Sequence, residues 1–244
     1  NTLFRNSRMS LIRSILFNLG MLVITPIFSV LAILLFPLPA VLHSRIISSW
    51  AYLAMFWLKV TCGLSFRVIG KENIPQHACI VLAKHQSAWE TIAFQVIFPP
   101  QIWVMKRSLL LIPFLGWAFA ALKAIAIDRA AGRDALKQMV EQGKDRLARG
   151  LWVVIFPEGT RIAPGKKGKY HIGGAWLATH TQATVVPVAH NAGEFWRKNA
   201  FTKTAGVITV SIGQPIDSTG MRPDALNQMV EDWIEGEMPH LKSR

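Results

Sequence analysis

Apolar positions divide the chain at about residue 60. From Ser14 to Phe36 the residues run SILFNLGMLVITPIFSVLAILLF without a charge. As a helix this stretch extends about 34 Å, enough to cross a hydrocarbon core of about 30 Å. A second apolar stretch, Ile46 to Val60, reaches only about 22 Å, short for a span. Its tryptophans and tyrosine suit a membrane interface. Phe36-Pro37-Leu38-Pro39 separates the two. A true span followed by an interfacial helix is one arrangement; a helical hairpin dipping into one leaflet is the other. Arg5, Arg8 and Arg13 precede the apolar region, and Arg45, Lys59, Arg67 and Lys71 follow it. Positive charge on both flanks places both ends on the cytoplasmic side and favours the hairpin. The length of the first run argues against a helix pair buried in a soluble core. That run is too long for a cleavable signal peptide and lacks a small-residue cleavage pattern, so no such peptide is expected.

Beyond Thr61 short apolar runs alternate with helical patterns. The predicted strands are Leu64 to Ile69, Cys79 to Ala83, Ile102 to Met105, Ala124 to Ile127, Trp152 to Phe156, Thr184 to Val188 and Val207 to Ile212. The predicted helices are Ala88 to Ile97, Pro113 to Leu122, Arg133 to Arg149, Ile172 to Thr181 and Pro223 to Met238. This alternation predicts an α/β fold with a largely buried sheet between helices. No internal repeat or low-complexity linker interrupts it. The chain therefore divides into a membrane-associated hairpin, residues 1–60, and an α/β domain, residues 61–244.

Composition adds a partner class. The 244 residues are 51% hydrophobic and 17% charged with a net charge of +13, where about a quarter charged is usual for soluble domains. Apolar and basic together point to an anionic membrane surface or to phosphate-bearing substrates. Nucleic acid is disfavoured, since basic repeats, zinc-ligand spacing and RNP-type aromatics are absent from the sequence. Cys62 and Cys79 show no C-x-x-C and no disulfide framework, and read as core thiols. His43, His77, His171, His180, His190 and His240 show no metal-ligand spacing, so no metal is expected.

Two stretches carry chemistry. In AKHQSAWET, His85 follows the strand CIVLA, where side chains emerge at a sheet's carboxyl edge and open α/β sheets bind ligands. Glu90 is either the carboxylate partner of a catalytic base or, with Ser87, half of a capping box. The two side chains lie about 140° apart on a regular helix, so a shared function needs His85 in the preceding loop and Glu90 in the first turn. In LWVVIFPEGTRIAPGKKGKY, a buried strand ends at Phe156 in a polar turn. Gly159 lets backbone approach an anion, Thr160 adds a hydroxyl, and Arg161 offers a planar fork for phosphate. Lys166, Lys167 and Lys169 follow as a basic rim. A solvated turn with surface lysines is the competing account.

Together these motifs resemble the lysophosphatidate (1-acyl-sn-glycerol-3-phosphate) acyltransferase family of bacterial type. HQSAWE is similar to its H-x4-D motif and FPEGTR to its most specific one. VMKRSLLLIPFLGW, IAIDR and VVPV resemble further blocks. The resemblance covers the chain after about residue 60, and the two amino-terminal helices are similar to those of bacterial members. It implies a mixed sheet flanked by helices, and acyl transfer from acyl-CoA or acyl carrier protein to the sn-2 hydroxyl of 1-acyl-glycerol-3-phosphate, giving phosphatidic acid. His85 is then the base and Glu90 its orienting partner. Arg161 holds the acceptor's phosphate, with Glu158, Gly159 and Thr160 shaping the turn and Lys106 and Arg129 completing the anion site. For Lys106 and Arg129 a surface charge or an ion pair with Asp128 is the alternative. No cofactor beyond the thioester co-substrate is implied, and Ser87 and Cys79 are not needed as nucleophiles. The implied location is the cytoplasmic face of a bacterial inner membrane, against its anionic leaflet. One position departs from the pattern: the family's aspartate is Glu90 here, longer by a methylene, which keeps the capping role in play. An oxyanion hole is sought in the amides near Phe156 to Gly159 or near Ser87, and the acyl chain's place against the amino-terminal helices and Leu109 to Leu122. The rival functions are transfer to another lysophospholipid or amine lipid, and a non-catalytic lipid-binding protein.

Overall fold

The computed structural model describes residues 2–98 and 100–242. It opens with two helices, α1 (Thr2–Leu34) and α2 (Ala40–Cys62). They are followed by β1 (Leu64–Ile69), β2 (Ile80–Ala83), α3 (Trp89–Ile97), β3 (Gln101–Lys106) and α4 (Leu115–Ala121). Then come β4 (Ile125–Ile127), α5 (Gly132–Ala148), β5 (Trp152–Ile155), α6 (Gly173–Thr181) and β6 (Val185–His190). A short α7 (Ala192–Phe195), β7 (Gly206–Ile212) and α8 (Pro223–Glu237) complete the series.

The seven strands form one sheet in the order β1-β7-β6-β2-β5-β3-β4. All neighbours are parallel except β6 and β7. The sheet is therefore mixed, with β1 and β7 running against the rest. Strand β2 lies near its middle, and all four of its residues are buried. That explains its continuous apolar run, since a strand covered on both faces needs no polar alternation. Val81 and Ala83 face one core with Leu58, Trp89 and Phe94, while Ile80 and Leu82 face a second with Leu177, Val230 and Ile234. The period-two alternation of a strand makes this division.

Helices α1 and α2 fold back on each other around the proline-bearing turn. Trp57 lies across Gly20 so closely that a Cβ there would fall 2.0 Å from its Nε1. Trp57 Nε1 donates to the Leu16 carbonyl at 3.1 Å, and Trp50 Nε1 to Thr25 Oγ1 at 3.2 Å. The helix starts at Thr2 rather than Ser14, because helical backbone continues past the apolar run; the side chain of Arg5 lies outside the described residues. Residues Arg8 to Leu34 are long and apolar enough to cross a membrane, and little of that stretch is covered by the protein. Helix α2 differs. It exposes Tyr52, Leu53 and Phe56 but buries Ala51, Ala54 and Leu58 in the same core as α3. The hairpin and the α/β fold thus share a core. Lys203 adds a tie: its Nζ lies 5.0, 4.7 and 5.3 Å from the rings of Phe17, Trp196 and Phe201 and donates to Asn18 Oδ1 at 3.1 Å.

Candidate active site

The chain leaves β2 at Ala83 and places His85 in the loop before α3. His85 Nδ1 lies 2.8 Å from Glu90 Oε1. A carboxylate can only accept, so Nδ1 carries the proton and Nε2 keeps its lone pair. The same Oε1 accepts from the amides of Gln86 at 2.8 Å and Ser87 at 2.7 Å, while Ser87 Oγ accepts from the amide of Trp89 at 3.1 Å. Capping and imidazole orientation are therefore one arrangement, not competitors. The longer arm of Glu90 folds back over the first turn and serves both. Burial, the largest influence on Glu90, opposes its ionisation. The hydrogen bonds from His85 and from the Ser87 amide outweigh it and hold the carboxyl below its ordinary range.

His190 is fully buried beside this pair, with Nε2 3.9 Å from Glu90 Oε1. Its Nε2 donates to the Lys84 carbonyl at 2.8 Å and its Nδ1 accepts from the amide of Ala192 at 3.3 Å. Both nitrogens are thus committed to one neutral tautomer, and burial lowers its pKa. The imidazole of His85 stacks on Phe156, with centroids 4.1 Å apart and planes at 14°. Phe156 opens the second motif, so the two meet ring to ring.

Beyond β5 the turn closes by a hydrogen bond from the Gly159 amide to the Phe156 carbonyl at 2.9 Å. Gly159 has φ +65°, the left-handed region that suits glycine. Glu158 points inward and is not among the residues that line the cleft of His85 and Arg161. Its Oε1 meets Lys84 Nζ at 2.7 Å and its Oε2 accepts from the His85 amide at 2.9 Å; burial raises its pKa. The amide of Ile162 donates to the His85 carbonyl at 2.7 Å. Both polar groups of the His85 backbone are therefore held by the segment that carries Arg161.

Arg161 is half-buried and lines a cleft of about 630 Å³ together with His85, Phe156, Gly159, Thr160 and Lys106. Among the described residues its guanidinium has no hydrogen-bond or ion-pair partner. Lys106 is exposed at the end of β3, on the rim. The side chain of Arg129 lies outside the described residues; Asp128 uses its carboxylate on the Ala130 amide at 3.0 Å. The basic loop is not where its charge suggested: Lys167 pairs with Glu231 on α8 at 2.6 Å, and Lys166, Lys167 and Lys169 do not line the cleft. Lys198 takes that place, donating to Thr160 Oγ1 at 3.2 Å. It follows α7, a four-residue helix too short to leave a periodic pattern. The amides of Gln86, Ser87, Trp89 and Gly159, in the stretches where an oxyanion hole is expected, each donate within the protein.

The cleft continues between Phe28, Ile47 and Trp50 of the hairpin and Leu115, Phe119 and Leu122. Buried hydroxyls of Ser29, Ser44 and Ser48 interrupt that apolar wall. A second cavity, about 680 Å³, lies near Arg45, His77 and Trp152 at the opposite strand ends. His77 there bonds to Thr184, and among the described residues no carboxylate lines the cavity. Among the described residues no group of three His, Cys, Asp or Glu side chains is placed to hold a metal ion.

A family model described as Acyltransferase matches residues 65–191. The chain is 44% identical over 199 residues to a 1-acyl-sn-glycerol-3-phosphate acyltransferase of Pseudomonas aeruginosa, covering 80% of this chain and 77% of that one. It is 29% identical over 204 residues to 1-acyl-sn-glycerol-3-phosphate acyltransferase alpha of Homo sapiens, covering 80% and 70%. Its fold is similar to the crystal structure of the 1-acyl-sn-glycerophosphate (LPA) acyltransferase PlsC from Thermotoga maritima. That match has a TM-score of 0.80 at 24% identity and covers 98% of this chain and 100% of the other.

Proposed function

The chain belongs to the acyltransferase family of the 1-acyl-sn-glycerol-3-phosphate type, and from that premise we propose how its site works. The enzyme transfers an acyl group from a thioester to the sn-2 hydroxyl of 1-acyl-sn-glycerol-3-phosphate and makes phosphatidic acid. One observation carries the assignment of roles: the oriented imidazole of His85 and the guanidinium of Arg161, which has no partner among the described residues, line one cleft.

The phosphate of the acceptor docks on Arg161, a bidentate fork, with Lys106, Lys198 and Thr160 on the rim. Gly159 lets the turn close, and Glu158 supports it from behind. Docking sets the sn-2 hydroxyl before His85 Nε2, whose lone pair accepts the hydroxyl proton as the oxygen attacks the thioester carbon. Glu90 stabilises the imidazolium through Nδ1, the orienting part of triad logic. The tetrahedral intermediate then expels the thiolate, which takes the proton back from Nε2. An ester and a free thiol result, and no covalent enzyme intermediate is required.

The family resemblance implies acyl-CoA or acyl carrier protein as donor, and a net charge of +13 attracts both without choosing between them. The exposed apolar faces of α1 and α2 support a membrane location, and the flanking charge supports the cytoplasmic face of a bacterial inner membrane. The test offers purified enzyme 1-acyl-glycerol-3-phosphate with each thioester and identifies product by mass. Phosphatidic acid is expected with wild type and not with His85→Ala. No product from wild type with either donor would overturn the reading.

A further inference from the structure

The side chain next to the base turns away from the cleft and into the protein. Lys84 is 1% exposed. Its Nζ donates to Glu158 Oε1 and Glu235 Oε1, each at 2.7 Å, and to the Lys166 carbonyl at 3.4 Å. An ammonium has three donors, and here three acceptors meet them. Tyr170 donates its hydroxyl to Glu235 Oε1 at 2.8 Å, and its ring lies 5.9 Å from Nζ. One buried cation thus joins three segments far apart in the chain: the His85 loop, the Arg161 turn and α8.

The same residues fix the backbone that leads into the base. Glu158 uses its second oxygen on the His85 amide at 2.9 Å. The Lys84 amide donates to the Val188 carbonyl at 3.0 Å, and the Lys84 carbonyl accepts from His190. Without the ammonium, Glu158 and Glu235 would be two carboxylates pointed at one buried spot. Like charges so placed force one to protonate or to turn away, and Glu158 cannot turn without releasing His85. Buried ion clusters are weak sources of net stability because desolvation offsets their attraction. The geometry here points to alignment instead.

We propose that Lys84 is a positioning residue for acyl transfer: its ammonium, clamped by Glu158 and Glu235, sets His85 in register with the turn that carries Arg161. The inference rests on the acyl-transfer reading above. It places control of turnover in a group that does not touch substrate, and it makes α8 part of the active-site frame.

Lys84→Met removes the charge at similar length, Lys84→Arg keeps it, and Glu235→Gln neutralises the partly exposed partner. Each full-length variant is purified in detergent beside wild type, and folding is followed by near-ultraviolet circular dichroism and melting temperature. Lys84→Met is expected to lose about 30- to 100-fold in kcat with acceptor KM changed by less than about twofold, the pattern of a displaced catalytic group. Lys84→Arg is expected to recover part of that loss. Should Lys84→Met not fold, Glu235→Gln decides, with an expected loss of about fivefold in kcat, unchanged KM and a near-wild-type melt. Wild-type kcat in a folded Lys84→Met or Glu235→Gln, or a change confined to melting temperature or KM, would overturn the positioning role. Wild type that transfers no acyl group would instead sink the reaction assignment, so the two failures are distinct.

Discussion

The loop at His85 and the turn at Arg161 touch, yet they treat their polar groups in opposite ways. In the loop, the amides of His85, Gln86, Ser87 and Trp89 are all bonded, and one oxygen of Glu90 serves two of them and the imidazole. In the turn, Glu158 is spent inward while Arg161 stands at the cleft with no partner among the described residues. A proton acceptor works only in a fixed geometry, so the protein itself holds the backbone amides and the imidazole of this loop, while Glu90 Oε2, Gln86 Nε2 and Trp89 Nε1 are buried without a hydrogen-bond partner among the described residues. A phosphate site needs an anion, and the substrate brings it. Changes in the loop should therefore lower turnover, and changes in the turn should weaken acceptor binding.

The largest effect should come from the base. His85→Ala is expected to lower kcat about 10³-fold while membrane flotation and melting temperature stay near wild type. Retained turnover would erase the distinction between loop and turn. Glu90→Gln should follow, with about a 10²-fold loss in kcat against a stability cost of only about 1 kcal/mol for the weakened cap. Glu90→Asp should keep more turnover than Glu90→Gln. Loss of stability with unchanged turnover per folded molecule would reduce Glu90 to a cap.

The pH dependence of stability probes the buried neighbour. Burial holds the His190 ring below its ordinary 6.5, so it stays neutral in the fold while the unfolded chain takes up a proton. Its contribution is therefore complete above pH 6.5 and is lost as pH falls towards the folded value. Urea midpoints from about pH 8 to about pH 5 should decline on the acid side, and His190→Gln should flatten that decline. An unchanged slope in the variant would remove His190 from the site's electrostatics. The smallest effect is expected at the hairpin junction. Lys203→Met should cost about 1 kcal/mol through lost cation–π contacts, seen as a lower melting temperature and faster proteolysis, with kcat intact.

Much of the fold was legible because buried strands write themselves as short apolar runs: β1 matches its expected bounds, and β2 and β7 differ from theirs by one residue. Helix α4 starts at Leu115 rather than Pro113, since Phe114 adopts φ +62° and breaks the helix there. His85, Glu90 and Arg161 could be found because each lies in a local motif. The inward role of Glu158 could not, for its partners Lys84 and Glu235 are far away along the chain. Lys198 and His190 were missed for the same reason: only the pairing of β6 with β2, and the connection through α7 that follows β6, bring them to the site.

In the proposed reaction His85 and Arg161 serve two ends of one acceptor, and that pairing can be tested. Its most direct test compares 1-acyl-glycerol-3-phosphate with the matching monoacylglycerol, which lacks the phosphate, in wild type and Arg161→Ala. Wild type is expected to prefer the phosphate-bearing acceptor strongly in kcat/KM. Arg161→Ala is expected to lose most of that preference while its remaining turnover still depends on His85. A phosphate preference undiminished in Arg161→Ala would contradict it.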